Sequence, residues 1–127
     1  MERWSKAVVY DDMWLDPADD PRELPPVDYT DERATLNDYL RRYRLTLELK
    51  CADLDAEQLA LRSVPPSTMS LLGLVRHLAE VERSWFRRRL AGQDAPHLYG
   101  KGNGDWDGAV GDPAVVDEAW ANWRAGR

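Results

Sequence analysis

The sequence is poor in cysteine and has no long apolar run. Its 127 residues include one cysteine, Cys51, which excludes an internal disulfide framework and a zinc site made of several cysteines. We expect Cys51 to pack as a small buried side chain. No segment approaches the roughly 20 apolar residues that a membrane-spanning helix needs, so we expect no membrane partner. The N-terminal MERWSKAVVYDDMW lacks the apolar stretch of a secretory signal, and this predicts a cytoplasmic protein.

Positive charge is also scarce. The chain has 17 Lys and Arg against 23 Asp and Glu, a net charge of −6. Proteins that bind nucleic acid normally carry a basic patch, because phosphate contacts supply most of their affinity. The arginines of WFRRRL follow one another and therefore spread around a helix, so we expect no nucleic-acid partner. Arginine far outnumbers lysine and isoleucine is absent, a composition typical of a GC-rich bacterial genome.

The sequence divides into an N-terminal arm, residues 1–29, and a helical domain, residues 30–127. The arm contains DPADDPRELPPVD, in which four prolines and several acids oppose both helix and sheet. We predict an extended arm whose Trp4, Trp14 and Leu15 dock onto the helical domain, because large apolar side chains are costly to leave in water.

A long first helix is predicted from about residue 31 to residue 53, with Thr30 or Asp31 as its N-cap. A single helical turn follows in LDAEQL, where Asp55 and Gln58 have the spacing of a capping pair. The segment RSVPPSTMS then breaks the chain. The apolar stripe of the first helix is periodic in steps of three and four residues. It comprises Leu36, Leu40, Tyr43, Leu47, Cys51 and Leu54.

The second helix is SLLGLVRHLAEVERSWFRRRL, residues 70–90, capped by Ser67 or Thr68 and ending near Gly92. Its apolar side chains, among them Trp85, fill one arc of the helix. The residues predicted to lie opposite, towards solvent, are Arg76, Glu80, Arg83 and Arg87. Residues 93–111 hold five glycines without periodicity, which predicts a long loop.

A third helix begins with Asp112 as N-cap and Pro113 as its first residue. Its Val116, Trp120 and Trp123 share one face, and this face needs a covering surface. The arm and long loop, another chain, or a longer form of the domain could supply it.

The second helix carries one histidine, His77, at the border of its apolar arc, about 40° beyond Val81. Such an imidazole can be a half-exposed side chain that bonds to water or to a neighbour. It can also be a metal ligand that points into an opening between helices. A catalytic metal site normally takes three protein ligands, and no second histidine lies three or four residues from His77. His97 is expected to be a solvated loop residue.

Glu82 falls near the middle of the same apolar arc, where a carboxylate must be paired or hydrogen-bonded. If the first two helices are antiparallel, Glu82 lies near Tyr39 and Tyr43, and a tyrosine hydroxyl could bond to it. Two interpretations stay open: a structural contact with a tyrosine or an arginine, or an acid that supports a ligand or faces a substrate.

The segment RSVPPSTMSLLGLVRHLAEVERSWF joins the Pro-Pro turn, the helix start and the histidine. It resembles the DinB-like superfamily of bacterial four-helix bundles, most closely the actinobacterial branch related to mycothiol-dependent maleylpyruvate isomerases. The resemblance covers roughly residues 28–124. It implies an all-α fold: an incomplete DinB-like bundle with helices 1 and 2 and the start of helix 3, preceded by the extended arm.

The same resemblance implies a site. His77 corresponds to the first ligand of a divalent metal, zinc or nickel, whose other two ligands lie on the last helix of the bundle. Because this sequence has no such helix, we expect a C-terminally truncated chain whose metal is absent or weakly bound. His97 and Asp105 or Asp107 could complete a ligand set, but nothing in their spacing favours it.

The activity implied is a metal-dependent transfer or isomerisation that uses a low-molecular-weight thiol of the mycothiol type. We expect this chain to be inactive or incomplete as such an enzyme. The alternative is a non-catalytic helical module that forms a homodimer or binds a partner through its helix faces.

Overall fold

Helices and loops make up the part of the chain that the computed structural model describes, residues 19–23 and 27–126. These residues contain no strand, so the all-α prediction is confirmed. None of the helices found there is long and apolar enough to cross a membrane. The predicted docking of Trp4, Trp14 and Leu15 lies outside the described residues.

The chain forms two compact units, Met1–Asp53 and Leu54–Arg127. The division falls just after the first long helix, next to Asp53, which has a positive φ of 59°. Aspartate tolerates this left-handed conformation better than most residues, because its short side chain can bond locally. The boundary after residue 29 stays a prediction.

Helix α1, Glu32–Cys51, dominates the described part of the first unit. The Asp31 side chain accepts a hydrogen bond from the Ala34 amide at 2.9 Å, which confirms the predicted N-cap. Cys51 is buried, as expected. The predicted apolar stripe is buried at Leu47 and Cys51, but the prediction is wrong at Leu36 and Tyr43, which are exposed. A turn of 3-10 helix, Pro21–Glu23, packs against α1 on the side that carries the polar residue Arg41.

Arginine side chains tie this turn to α1. The Arg41 guanidinium donates hydrogen bonds to the carbonyls of Pro21 and Arg22, at 3.2 and 2.8 Å. It also bonds to the carboxylate of Asp38, a residue that is only 4% exposed, at 2.7 Å. The Tyr29 hydroxyl donates to the same carboxylate at 2.7 Å. These two donors, the tyrosine hydroxyl most strongly, lower the pKa of Asp38 below its ordinary value of 3.8.

The Asp38 carboxylate should make the stability of the protein sensitive to acid. Because its pKa is lowered by folding, its stabilisation is full above the ordinary value of 3.8 and is lost as the pH falls through the lowered value. We expect Asp38→Asn to flatten the dependence of the unfolding free energy on pH below about pH 4, measured by urea denaturation. Asp117→Asn, at an exposed position of the second unit, is the matched control for the loss of one charge. Identical acid profiles for wild type and Asp38→Asn would contradict the role of this carboxylate.

The second unit begins with two capped helices. Helix α2, Ala56–Ala60, has the predicted capping box between Asp55 and Gln58. Helix α3, Leu71–Glu82, is capped by Ser70, whose hydroxyl accepts from the Gly73 amide at 3.0 Å. The predicted caps at Ser67 or Thr68 are therefore wrong. Ser67 accepts instead from the Met69 amide, in the turn that precedes the helix.

The segment after α3 is a π-helix, Arg83–Leu90, and not the predicted continuation of the α-helix. The Ala91 amide accordingly bonds to the Phe86 carbonyl, five residues back. Each wider turn contains an additional residue, so the side chains leave the register of the preceding α-helix. Trp85, expected within the apolar arc, is consequently exposed. Gly92, with a φ of 63°, follows the helix end as predicted.

The core of the second unit lies between α3 and the last helix, α5, Pro113–Ala125. Asp112 caps α5 and Pro113 begins it, as predicted. Trp123 is 1% exposed and Ala119 is fully buried. Helix α3 therefore supplies a covering surface for Trp123 from within the same unit. The buried side chains that α3 contributes are Leu72, Val75 and Ala79.

Candidate functional site

The long loop after the π-helix folds back onto α3 and contains a short helix, α4, Gly104–Asp107. Arg76 of α3 holds it there. The Arg76 side chain donates to the Asp105 carbonyl from Nε at 2.9 Å and to the Gly104 carbonyl from Nη2 at 3.1 Å. Its guanidinium also lies 3.8 Å from the centre of the Tyr99 ring. Arg76 is 7% exposed, so the predicted solvent-facing position is wrong, because the loop covers this face.

Glu80, also expected in solvent, anchors an earlier part of the same loop. One carboxylate oxygen, Oε2, accepts from the Leu98 amide at 2.9 Å. The other, Oε1, is bonded to Arg88 and lies 3.0 Å from Nδ1 of His97. The His97 side chain is 54% exposed, in line with the expected solvated loop residue, but it also has a carboxylate partner.

His77 meets Asp105, the first of the two acidic residues of α4. Its Nδ1 lies 2.9 Å from Oδ2 of Asp105. The imidazole side chain is 41% exposed, whereas the Asp105 side chain is 15% exposed. The His77 ring stacks on the Trp106 indole, with 5.2 Å between ring centres and 29° between planes. A carboxylate on one edge and an indole on one face thus orient the imidazole.

The close approach of Trp106 requires glycine at position 73 of α3. A Cβ atom there would lie 2.6 Å from Cε3 of Trp106, well inside van der Waals contact. The side chain of Arg62, which precedes α3, also reaches the Trp106 carbonyl at 3.5 Å. A small residue one helical turn before His77 therefore makes room for the indole that stacks on it.

Tyr99 closes the side of the loop that faces α5. Its hydroxyl accepts a hydrogen bond from Nδ2 of Asn122 at 3.1 Å. Burial raises the pKa of the Tyr99 phenol above its ordinary value of 10.0, so the group stays protonated at neutral pH. It serves as a neutral platform for the Arg76 guanidinium.

Glu82, the carboxylate on the apolar arc, has a partner on α5. Its Oε1 accepts a hydrogen bond from Nε1 of Trp123 at 3.1 Å. Helical periodicity identified Glu82 as a residue that needs a donor, but it did not identify this indole. Tyr43, one of the two tyrosines predicted to lie near Glu82, is 70% exposed, and its role stays a prediction.

The described residues contain no group of three or more His, Cys, Asp or Glu side chains arranged to hold a metal ion. One ring nitrogen of His77 bonds to a carboxylate and its side chain is 41% exposed, and the role of this residue as a metal ligand stays a prediction. Asp107 does not join it: its side chain is 66% exposed and lies 3.9 Å from Arg62. The donors in the described chain therefore do not fit a complete metal site.

Together these features define a helical-bundle protein whose candidate site is one imidazole, held by a carboxylate and an indole beside the main α3–α5 core. The chain belongs to the mycothiol-S-transferase family, whose sequence profile matches residues 35–127. That range includes Arg76, His77 and Asp105. It confirms the family resemblance inferred from the Pro-Pro turn and the histidine helix. No curated protein and no solved structure gives a significant match.

The Arg76 clamp can be tested by hydrogen exchange. We expect Arg76→Met to speed the exchange of the Trp106 and Asp107 amides about 10- to 100-fold, since about 1–3 kcal/mol of buried hydrogen bonding is lost. Both amides bond to the carbonyl of Asn103, the residue that precedes α4. Arg124→Met, which removes an exposed guanidinium from α5, is the control and should leave both rates unchanged. Equal exchange in Arg76→Met and wild type would show that the loop does not depend on Arg76.

Proposed function

We propose that this chain takes part in S-transfer with a low-molecular-weight thiol of the mycothiol type, and that His77 marks the reacting centre. In this reaction the thiol sulfur forms a bond to an electrophilic carbon, the leaving group departs, and the thiol proton passes to a base. The observation that carries the proposal is the half-exposed His77 imidazole, bonded to Asp105 at 2.9 Å inside the segment that matches the family. A thiol-dependent isomerisation would start with the same sulfur attack.

We further propose that His77 is the first ligand of a divalent metal, zinc or nickel. The metal, when bound, would favour the thiolate form of the thiol. The described residues offer one imidazole and one carboxylate at this point, so the remaining ligands would have to lie outside them or on a second chain. On this proposal the single chain is an incomplete transferase that binds the metal weakly.

Metal uptake by the purified protein tests this proposal. After dialysis against zinc or nickel, we expect uptake above background in wild type and its loss in His77→Ala, measured by inductively coupled plasma mass spectrometry. The sequence has only two histidines, so His97→Ala is a matched control and should retain the uptake. Less than about 0.1 metal ion per chain in wild type, unchanged by His77→Ala, would overturn the ligand role.

A second candidate function is a homodimerisation module, and it is favoured by one observation on α1. Leu36, Tyr39 and Tyr43 are all more than half exposed there. The Tyr39 ring lies 6.4 Å from Tyr29 and 6.3 Å from Tyr43, so the tyrosines form a continuous aromatic row. Exposed apolar patches of this kind mark interaction sites more often than isolated exposed side chains do.

Sedimentation velocity tests the homodimer. We expect the sedimentation coefficient of wild type to rise with protein concentration, and Tyr43→Asp to weaken the association at least tenfold, because it buries a charge in the interface. Leu61→Asp alters another exposed apolar residue and is the control. A monomer at every concentration would contradict the dimerisation proposal.

A further inference from the structure

We propose that Asp105 is a positioning residue that holds His77 in the tautomer with its proton on Nδ1, so that the Nε2 lone pair is the one offered to a ligand. The binding of a ligand by Nε2 rests on the proposed function, whereas the assignment of the tautomer does not. The starting observation is the 2.9 Å separation of His77 Nδ1 and Asp105 Oδ2.

The chemistry of the two groups fixes the direction of this hydrogen bond. An ionised carboxylate can only accept, so the ring nitrogen that faces it must be the donor. In a neutral imidazole the other nitrogen, Nε2, is then the acceptor. An unconstrained histidine side chain favours the opposite tautomer, with its proton on Nε2. The Asp105 contact thus reverses the intrinsic preference of the ring.

The backbone of Asp105 is held independently of its carboxylate. Arg76 and His77 are consecutive residues of α3. Arg76 binds the Asp105 and Gly104 carbonyls, while His77 meets the Asp105 side chain. Trp106, the next residue of α4, stacks on the His77 ring and limits its rotation. Because Arg76 holds the loop through carbonyl oxygens, replacing the Asp105 side chain leaves the clamp in place.

Local solvent access also favours a specific hydrogen bond at this position. The Asp105 side chain is 15% exposed, so water competes weakly for its carboxylate. His97 offers a contrast within the same loop. Its partner, Glu80, also binds Arg88 of the π-helix and the Leu98 amide of the loop, so this carboxylate is shared among three groups.

Nitrogen-15 NMR of the imidazole rings tests the proposal directly. Long-range proton–nitrogen correlations distinguish the two tautomers at alkaline pH, where a free imidazole is neutral. The two histidines of the sequence can be assigned with the variant His97→Gln. We expect His77 of the wild type to show the Nδ1–H pattern alone.

Two substitutions separate tautomer control from a merely structural contact. Asp105→Asn keeps the size and shape of the side chain, but its amide can donate as well as accept. We therefore expect Asp105→Ala to lose the single Nδ1–H pattern of His77, and Asp105→Asn, whose amide oxygen still accepts, to keep it only in part, with the pattern of His97 unchanged in both. Asp107→Asn, on the same short helix, is the matched control and should leave both histidines as in wild type. Amide spectra monitor the fold of each variant.

Each result decides the question. An Nε2–H pattern for His77 in wild type, or a wild-type pattern in Asp105→Ala, would overturn the positioning role. If the tautomer responds as expected and metal is bound, Asp105→Ala should also weaken zinc affinity about 10- to 100-fold. If the tautomer responds but wild type takes up no metal, Asp105 still positions His77, and only the proposed metal function fails.

Discussion

The buried guanidinium of Arg76 is the interaction on which the candidate site depends. It bonds to two consecutive carbonyls of the short helix α4 and lies over the ring of Tyr99. A loop that contains five glycines has little conformational preference of its own, and ordering it costs free energy for each residue fixed. Burying an arginine is unfavourable unless its donors are bonded, so the guanidinium and the carbonyls stabilise each other's position. Asp105 and Trp106 then reach His77 as a consequence.

Helix α3 therefore packs against other segments on two of its faces. Its apolar arc packs in the core with α5. On the opposite side, Arg76, Glu80 and His77 fall within about 100° of the helix circumference. All three contact the segment between the π-helix and α5. Arg76 bonds to Gly104 and Asp105, and His77 also bonds to Asp105. Glu80 contacts Leu98 and His97. A side that looks like a solvated polar face in the sequence is the surface on which the site is assembled.

The parts of this structure that were predicted from sequence are those set by neighbouring residues. The caps at Asp31 and Asp112, and the capping box at Asp55, each depend on bonds within four residues. The burial of Arg76 and the pairing of His77 with Asp105 depend on contacts across 28 or 29 positions, which periodicity does not encode. The sequence offers three loop residues as companions of His77, namely His97, Asp105 and Asp107, and spacing alone does not single out Asp105. The π-helix, which turns Trp85 outward, has no recognisable local signal in RSWFRRRL.

His77 and Glu82, the two polar residues at and within the apolar arc of this helix, have different surroundings. Five residues separate them, which places them about 140° apart around an α-helix. His77 turns towards α4 and meets a carboxylate and an indole. Glu82 turns towards α5 and accepts a hydrogen bond from Trp123, a tryptophan that is 1% exposed. A buried indole N–H needs an acceptor, and a carboxylate beside the core needs a donor, so each group satisfies a requirement of the other. Glu82 therefore contributes to the α3–α5 contact, on a different face of α3 from the one where His77 meets the loop.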